Sequence, residues 1–241
     1  MTSHTVSPDA PADTQMMGIV HSALRRDLVR VGLVLGTPAA AEPARRTAIA
    51  EHVLWLMRFL HDHHSGEDDG LYPLVVRRNP DSAALVEQMD ADHSSITPAM
   101  EDLESVAKQH LTDPTAPDSA LTAAVDRLCE VLFPHLEREE RDMMPVVSAS
   151  ITQGEWQAWD QEHNLKPKGM MTLAVEGHWL IDGLDERSSD HVKHLVPPVP
   201  RFVLVRLLGG PYRRKRAALW SGTPALDVPS LSADQADTWA A

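Results

Sequence analysis

His63-His64-Ser65-Gly66-Glu67-Asp68-Asp69-Gly70-Leu71-Tyr72-Pro73 and, 72 residues on, His135-Leu136-Glu137-Arg138-Glu139-Glu140-Arg141-Asp142-Met143-Met144-Pro145 follow one pattern. Each opens on His-x-x-x-Glu and reaches a proline six residues past the glutamate. A further histidine stands 42 residues before each stretch, His21 before the first and His93 before the second. On a helix, His-x-x-x-Glu puts both side chains on one face, about 6 Å apart along the axis. Two such pairs, with one histidine from each of two other helices, predict an inward-facing metal site of near two-fold symmetry. The expected ligands are His21, His63, Glu67, His93, His135 and Glu139, arranged as a dinuclear centre in an all-α four-helix bundle.

The repeat extends past the ligands. Leu24, Leu28, Val31, Leu56, Phe59 and Leu60 recur as Ile96, Met100, Leu103, Leu128, Val131 and Leu132. These residues lie at helical spacing from the histidines, which places the ligands on the core-facing stripe. Unpaired carboxylates there are costly, and a shared metal satisfies both glutamates. The competing reading is a bundle whose histidines and glutamates pair with each other or reach the surface.

The two quoted stretches, with His21-Ser22-Ala23-Leu24-Arg25-Arg26-Asp27-Leu28 and Asp92-His93, resemble the hemerythrin-like (HHE cation-binding) family over roughly residues 14–150. The resemblance implies an antiparallel up-down-up-down bundle with an internal two-fold repeat and two non-haem irons, oxo- or hydroxo- and carboxylate-bridged. His21 and His63 would serve one iron and His93 and His135 the other, unless the partition is crossed, and Glu67 and Glu139 would bridge them. The oxygen carriers of the family have another histidine one turn after the third-helix ligand. Here that position is Thr97, and its repeat mate is Arg25. The implied irons therefore keep open positions, which favours reaction with oxygen, peroxide or nitric oxide. Tyr72, His64, Asp68, Glu140 and Glu104 are candidates for an additional ligand, although Tyr72 falls about half a turn round an unbent helix from His63. Arg25 and Thr97 are expected to orient bound species.

Rival metal chemistries fit less well. Ferritin-like sites use Glu-x-x-His and zinc proteases use His-Glu-x-x-His; neither pattern occurs in the chain. Imidazole with carboxylate suits iron, manganese and zinc alike, so the resemblance tips the expectation to iron. Three functions follow: a di-iron protein that binds or reduces a diatomic or peroxide ligand, an oxidase or oxygenase for a small organic substrate fed by an electron donor, and an iron or oxygen sensor. The second requires a pocket, with Met17, Met89, Met100 or Trp55 as candidate lining.

The 241 residues carry a net charge of −13, which argues against a nucleic-acid partner for the bundle. One cysteine, Cys129, excludes an internal disulfide and is expected in the core. No long uncharged apolar run suggests a transmembrane segment, and a soluble, cytoplasmic protein is expected. Residues 1–13 read as a disordered tail, 14–150 as the bundle, 151–221 as a helical extension and 222–241 as a flexible tail. Pro73 and Pro145 should kink or break their helices, and Pro98 and Pro134 bend theirs. In the extension, Thr152-Gln153-Gly154-Glu155 is a capping box, Met170 to Leu180 reads as a helix, and Pro197, Pro198 and Pro200 mark a turn before Phe202 to Leu208. From His191 to Leu226 there is no acidic residue. The basic run Arg213-Arg214-Lys215-Arg216 there is either a solvated face or a site for an anionic molecule, lipid head group or acidic partner.

Overall fold

The computed structural model describes residues 7–195 and 208–235. Apolar residues at helical spacing make four long helices: α1 (Gln15–Leu35), α2 (Pro43–Gly66), α4 (Ala83–Thr112) and α5 (Asp118–Arg138), with short α3 (Tyr72–Arg78) and α6 (Met144–Ser150) continuing α2 and α5. Gly36 and Pro38 close α1, and Pro43, whose fixed φ suits a first helical turn, opens α2. Helix α4 packs between α2 and α5, and α5 also packs on α1. Leu24, Leu28, Leu56, Leu60, Ile96, Leu103, Leu128 and Leu132 are buried in the shared core. The described residues form an all-α bundle without a strand. None of their helices is long and apolar enough to cross a membrane.

The two repeated prolines act through an unusual device. Between α2 and α3 the chain makes a π turn, Glu67–Leu71, and between α5 and α6 another, Glu139–Met143. The Tyr72 and Met144 amides donate five residues back, to the Glu67 and Glu139 carbonyls. A proline ring would strike the carbonyl four residues back in an α-helix. The wider turn relieves that clash and lets Pro73 and Pro145 sit in the first turn of α3 and α6. Pro98 and Pro134 lie inside continuous helices.

The extension wraps the α1–α2 side. Helix α7 (Gln153–Asp160) opens on the expected capping box, and α8 (Met170–Ile181), α9 (Glu186–Leu195) and α10 (Gly210–Trp220) follow. Pro197, Pro198, Pro200 and most of the run from Phe202 lie outside the described residues. Buried charges hold the extension down. Asp27 accepts from Arg26 Nε at 2.7 Å, His52 Nε2 at 2.8 Å and Trp179 Nε1 at 2.9 Å. Asp182, closing α8, meets Arg30 at 2.5 Å, Tyr212 at 2.9 Å and Arg216 at 3.0 Å.

Three expectations are corrected. Residues 222–231 are not a free tail: Ala225, Val228 and Leu231 are buried, and Arg30 Nη2 binds the Val228 carbonyl at 2.6 Å. Within the N-terminal segment, Pro8 to Ala12 hydrogen-bonds along Ile151 to Gly154. Val131 is 36% exposed, whereas its mate Phe59 is covered by Trp179 at 4.7 Å between ring centroids. The repeat predicts equal burial, but Trp179 of the extension covers Phe59 and leaves Val131 open.

Candidate metal centre

Chain order sets the site between two apolar clusters. His21 lies between Met17 and Leu24 on α1, and His93 between Met89 and Ile96 on α4. His63 and His135 end α2 and α5, and Glu67 and Glu139 begin the π turns. All six side chains are buried. The histidines meet in two pairs: His21 Nε2 is 3.2 Å from His63 Nε2, and His93 Nε2 is 3.2 Å from His135 Nε2. Each glutamate faces both pairs. Glu67 places Oε1 3.1 Å from His63 and Oε2 3.7 Å from His93. Glu139 Oε2 lies 3.4 Å from His21 and 3.8 Å from His135.

Outer carboxylates fix how the rings point. Glu140 Oε1 is 2.9 Å from His21 Nδ1, and its repeat mate Asp68 is 2.7 Å from His93 Nδ1. Asp92 lies 3.5 Å from His135 Nδ1 and pairs with Arg138. A carboxylate at Nδ1 holds the proton there and leaves Nε2 as a lone pair. Lone pairs and carboxylates thus converge on one buried volume. Both oxygens of Glu67, Oε2 of Glu139 and Nε2 of His64 have no hydrogen-bond partner. Burial and the Glu139 charge push Glu67 well above the ordinary carboxylate range. Burial also raises Glu139, against His21 and His93. Burial and the neighbouring imidazoles push His135 down to about 2 and His63 and His64 well below the ordinary range. A pocket of lone pairs that resists protons, beside carboxylates with no donors, is complementary to cations. The donor set therefore fits a metal.

The candidates for extra ligands divide. His64 enters the site, stacked on His93 with centroids 4.0 Å apart, and it groups with His93 and His135 as a possible metal triad. His21, His63, Glu67 and Glu139 form the other group. Tyr72 also enters, donating its hydroxyl to Glu139 Oε1 at 2.9 Å. The π turn adds a residue and rotates Tyr72 by about 100° from its place on an unbent helix. Asp68 and Glu140 orient histidines, while Glu104 pairs with Lys108 at the surface. Arg25 is buried and binds Glu140 at 2.8 Å, so it acts through that carboxylate on His21. Thr97 turns away, donating to the His93 carbonyl at 2.9 Å. Met17, Met89 and Met100 are packed in the apolar clusters, and Trp55 faces an outer cleft. Burial pushes the Cys129 thiol up to about 12, which leaves it unreactive. Asp92 and Arg138 went unassigned in the sequence, since both hold ordinary surface positions on a helical wheel.

Neither a search of curated proteins nor one of solved structures gives a match. The profile of the hemerythrin HHE cation-binding domain matches residues 13–147, which is more than half of the chain and contains every residue of the centre. The chain belongs to the hemerythrin HHE cation-binding family.

Proposed function

We propose that the centre holds two iron ions, bridged by Glu67, Glu139 and an oxo or hydroxo group, and that the protein binds or reduces oxygen, peroxide or nitric oxide. The carrying observation is that each buried glutamate faces both histidine pairs and lacks hydrogen-bond donors on the oxygens that do so. His21 and His63 would hold one ion, and His93, His135 and His64 the other. Manganese and zinc are the alternatives for this donor set. Two irons held by these residues would supply, in the reduced state, one electron each to a small oxidant.

The remaining chemistry belongs to the chain. Burial and the charge of Glu139 keep the Tyr72 phenol neutral, so it is a proton donor held beside a bridging carboxylate. Arg25 fixes Glu140, and Glu140 fixes the His21 ring. The apolar clusters on either side exclude water.

Elemental analysis of protein expressed with iron as the only added metal should give two irons per chain. The reduced, anaerobic protein should then consume peroxide, oxygen or nitric oxide in proportion to its iron. Zinc alone, or no metal, would sink the reading. Oxygen consumption that requires an added organic substrate would shift it to an oxidase or oxygenase.

A further inference from the structure

On the outer side of α2, helix α10 lies across the bundle and the two enclose a cleft of about 640 Å³. Its lining includes Glu51, Leu54, Trp55, Arg58, Arg214 and Lys215. The Lys215 ammonium sits 4.1 Å from the Trp55 ring centroid and makes no hydrogen bond or ion pair among the described residues. Burial pushes it down to about 8, with Arg58 adding to the shift and Asp27 and Glu51 opposing it. Asp27 lies beneath and its carboxylate is already engaged by Arg26, His52 and Trp179. Arg58 and Arg214 are exposed and also lack an acidic partner among the described residues. By contrast, the next residue along α10, Arg216, is bound to Asp182. Within the lining, three cations face the single carboxylate of Glu51, on a chain whose net charge is −13.

We propose that this cleft binds a phosphate monoester, its dianion held by Arg58, Arg214 and Lys215. Two guanidinium forks and an ammonium match phosphate oxygens. A monoester carries about −1.5 to −2 near neutrality, which complements that lining. The volume falls within the ordinary range for a small-molecule site and exceeds what a bare phosphate fills. The organic part of the ligand lies along Ala48 and Leu54, between the charged rim and the apolar face of α2. Nucleic acid is a poorer fit. Trp55 is covered by Lys215 and stacked with His52 at 5.6 Å, so its ring is not free to stack on a base.

The test is a calorimetric titration of the full chain with phenyl phosphate at constant ionic strength, before and after chelation of metal. The expected result is one saturable site per chain that survives chelation. Lys215→Met and Arg214→Gln should each weaken it by about tenfold or more, the size of a lost charge-assisted hydrogen bond. Lys215→Met removes a poorly solvated charge, so its unliganded melting temperature should not fall. Heats no greater than those of matched sodium chloride would overturn the proposal. So would binding that survives Lys215→Met but disappears on chelation, which would put the anion on the metals. Neither outcome depends on which metal the centre holds.

Discussion

Residue i and residue i + 72 carry the same histidines and glutamates, the same π turn and the same proline, yet the two halves have different neighbours. In the first half, Arg26, Asp27, Arg30 and His52 are buried and clamp the extension. Their mates are Pro98, Ala99, Asp102 and Ala124, of which only Asp102 is charged, and it pairs with Arg127 of α5. The first π turn is covered as well: Trp159 donates to the Gly66 carbonyl at 2.7 Å, and a Cβ on Gly70 would stand 2.8 Å from Trp159 and 2.5 Å from His163. The corresponding Arg138 and Asp142 of the second π turn are partly exposed. The repeat fixes the metal frame, and residues off the ligand stripe decide what each half is joined to.

The most damaging way to break this symmetry is at the shared carboxylates. Glu139→Ala should lose both ions by elemental analysis and with them the extra stability of the loaded protein, because each glutamate serves both pairs. A fully loaded, equally stable Glu139→Ala chain would overturn that assignment. Asp27→Ala gives the first half the residue found at Ala99, but takes the buried carboxylate from Arg26, His52 and Trp179. Urea unfolding should show a loss of about 3–5 kcal/mol. Gly70→Ala should cost about 1–3 kcal/mol through the clash with Trp159, whereas Asp142→Ala on the bare turn should stay within about 0.5 kcal/mol. Equal losses would mean that the extension does not rest on the first turn. Arg25→Ala should weaken metal binding by up to about tenfold through Glu140, while Thr97→Ala leaves it unchanged.

The smallest effect is a pH limb. Burial holds His52 at about 4 in the fold against 6.5 when free, so it is neutral at pH 7. Its depressed value contributes stability that is fully present above pH 6.5 and lost as pH falls towards 4. Thermal melts of the wild type should therefore fall more steeply over that window than those of His52→Gln. Ala124, the mate of His52, has no group to titrate.

The bundle and the convergence of six buried residues were legible because the apolar residues and the histidines and glutamates share one period, and two copies of that period agreed. What escaped the sequence did so for physical reasons. Tyr72 was placed off the site by a wheel turning 100° per residue, and only the π turn at Glu67–Leu71 brings it in. Val131 shares the stripe of Phe59 but lacks its cover. The segment around Val228 has no periodicity to read, because its burial depends on the distant Arg30 rather than on its own helix. His64 was one name among several candidates, and only its stacking on His93 sets it apart.

Two of the three outer carboxylates cross between halves: Glu140 of the second holds His21 of the first, and Asp68 of the first holds His93 of the second. With each glutamate also facing across, neither half contains the whole of the proposed centre. A chain cut at Pro80–Ser82 would give two fragments that regain the centre only by reassembling. A single repeat could build it only by pairing with a second copy of itself. The present molecule is, in that sense, a covalently joined homodimer, with one protomer free to diverge into the seat for the extension.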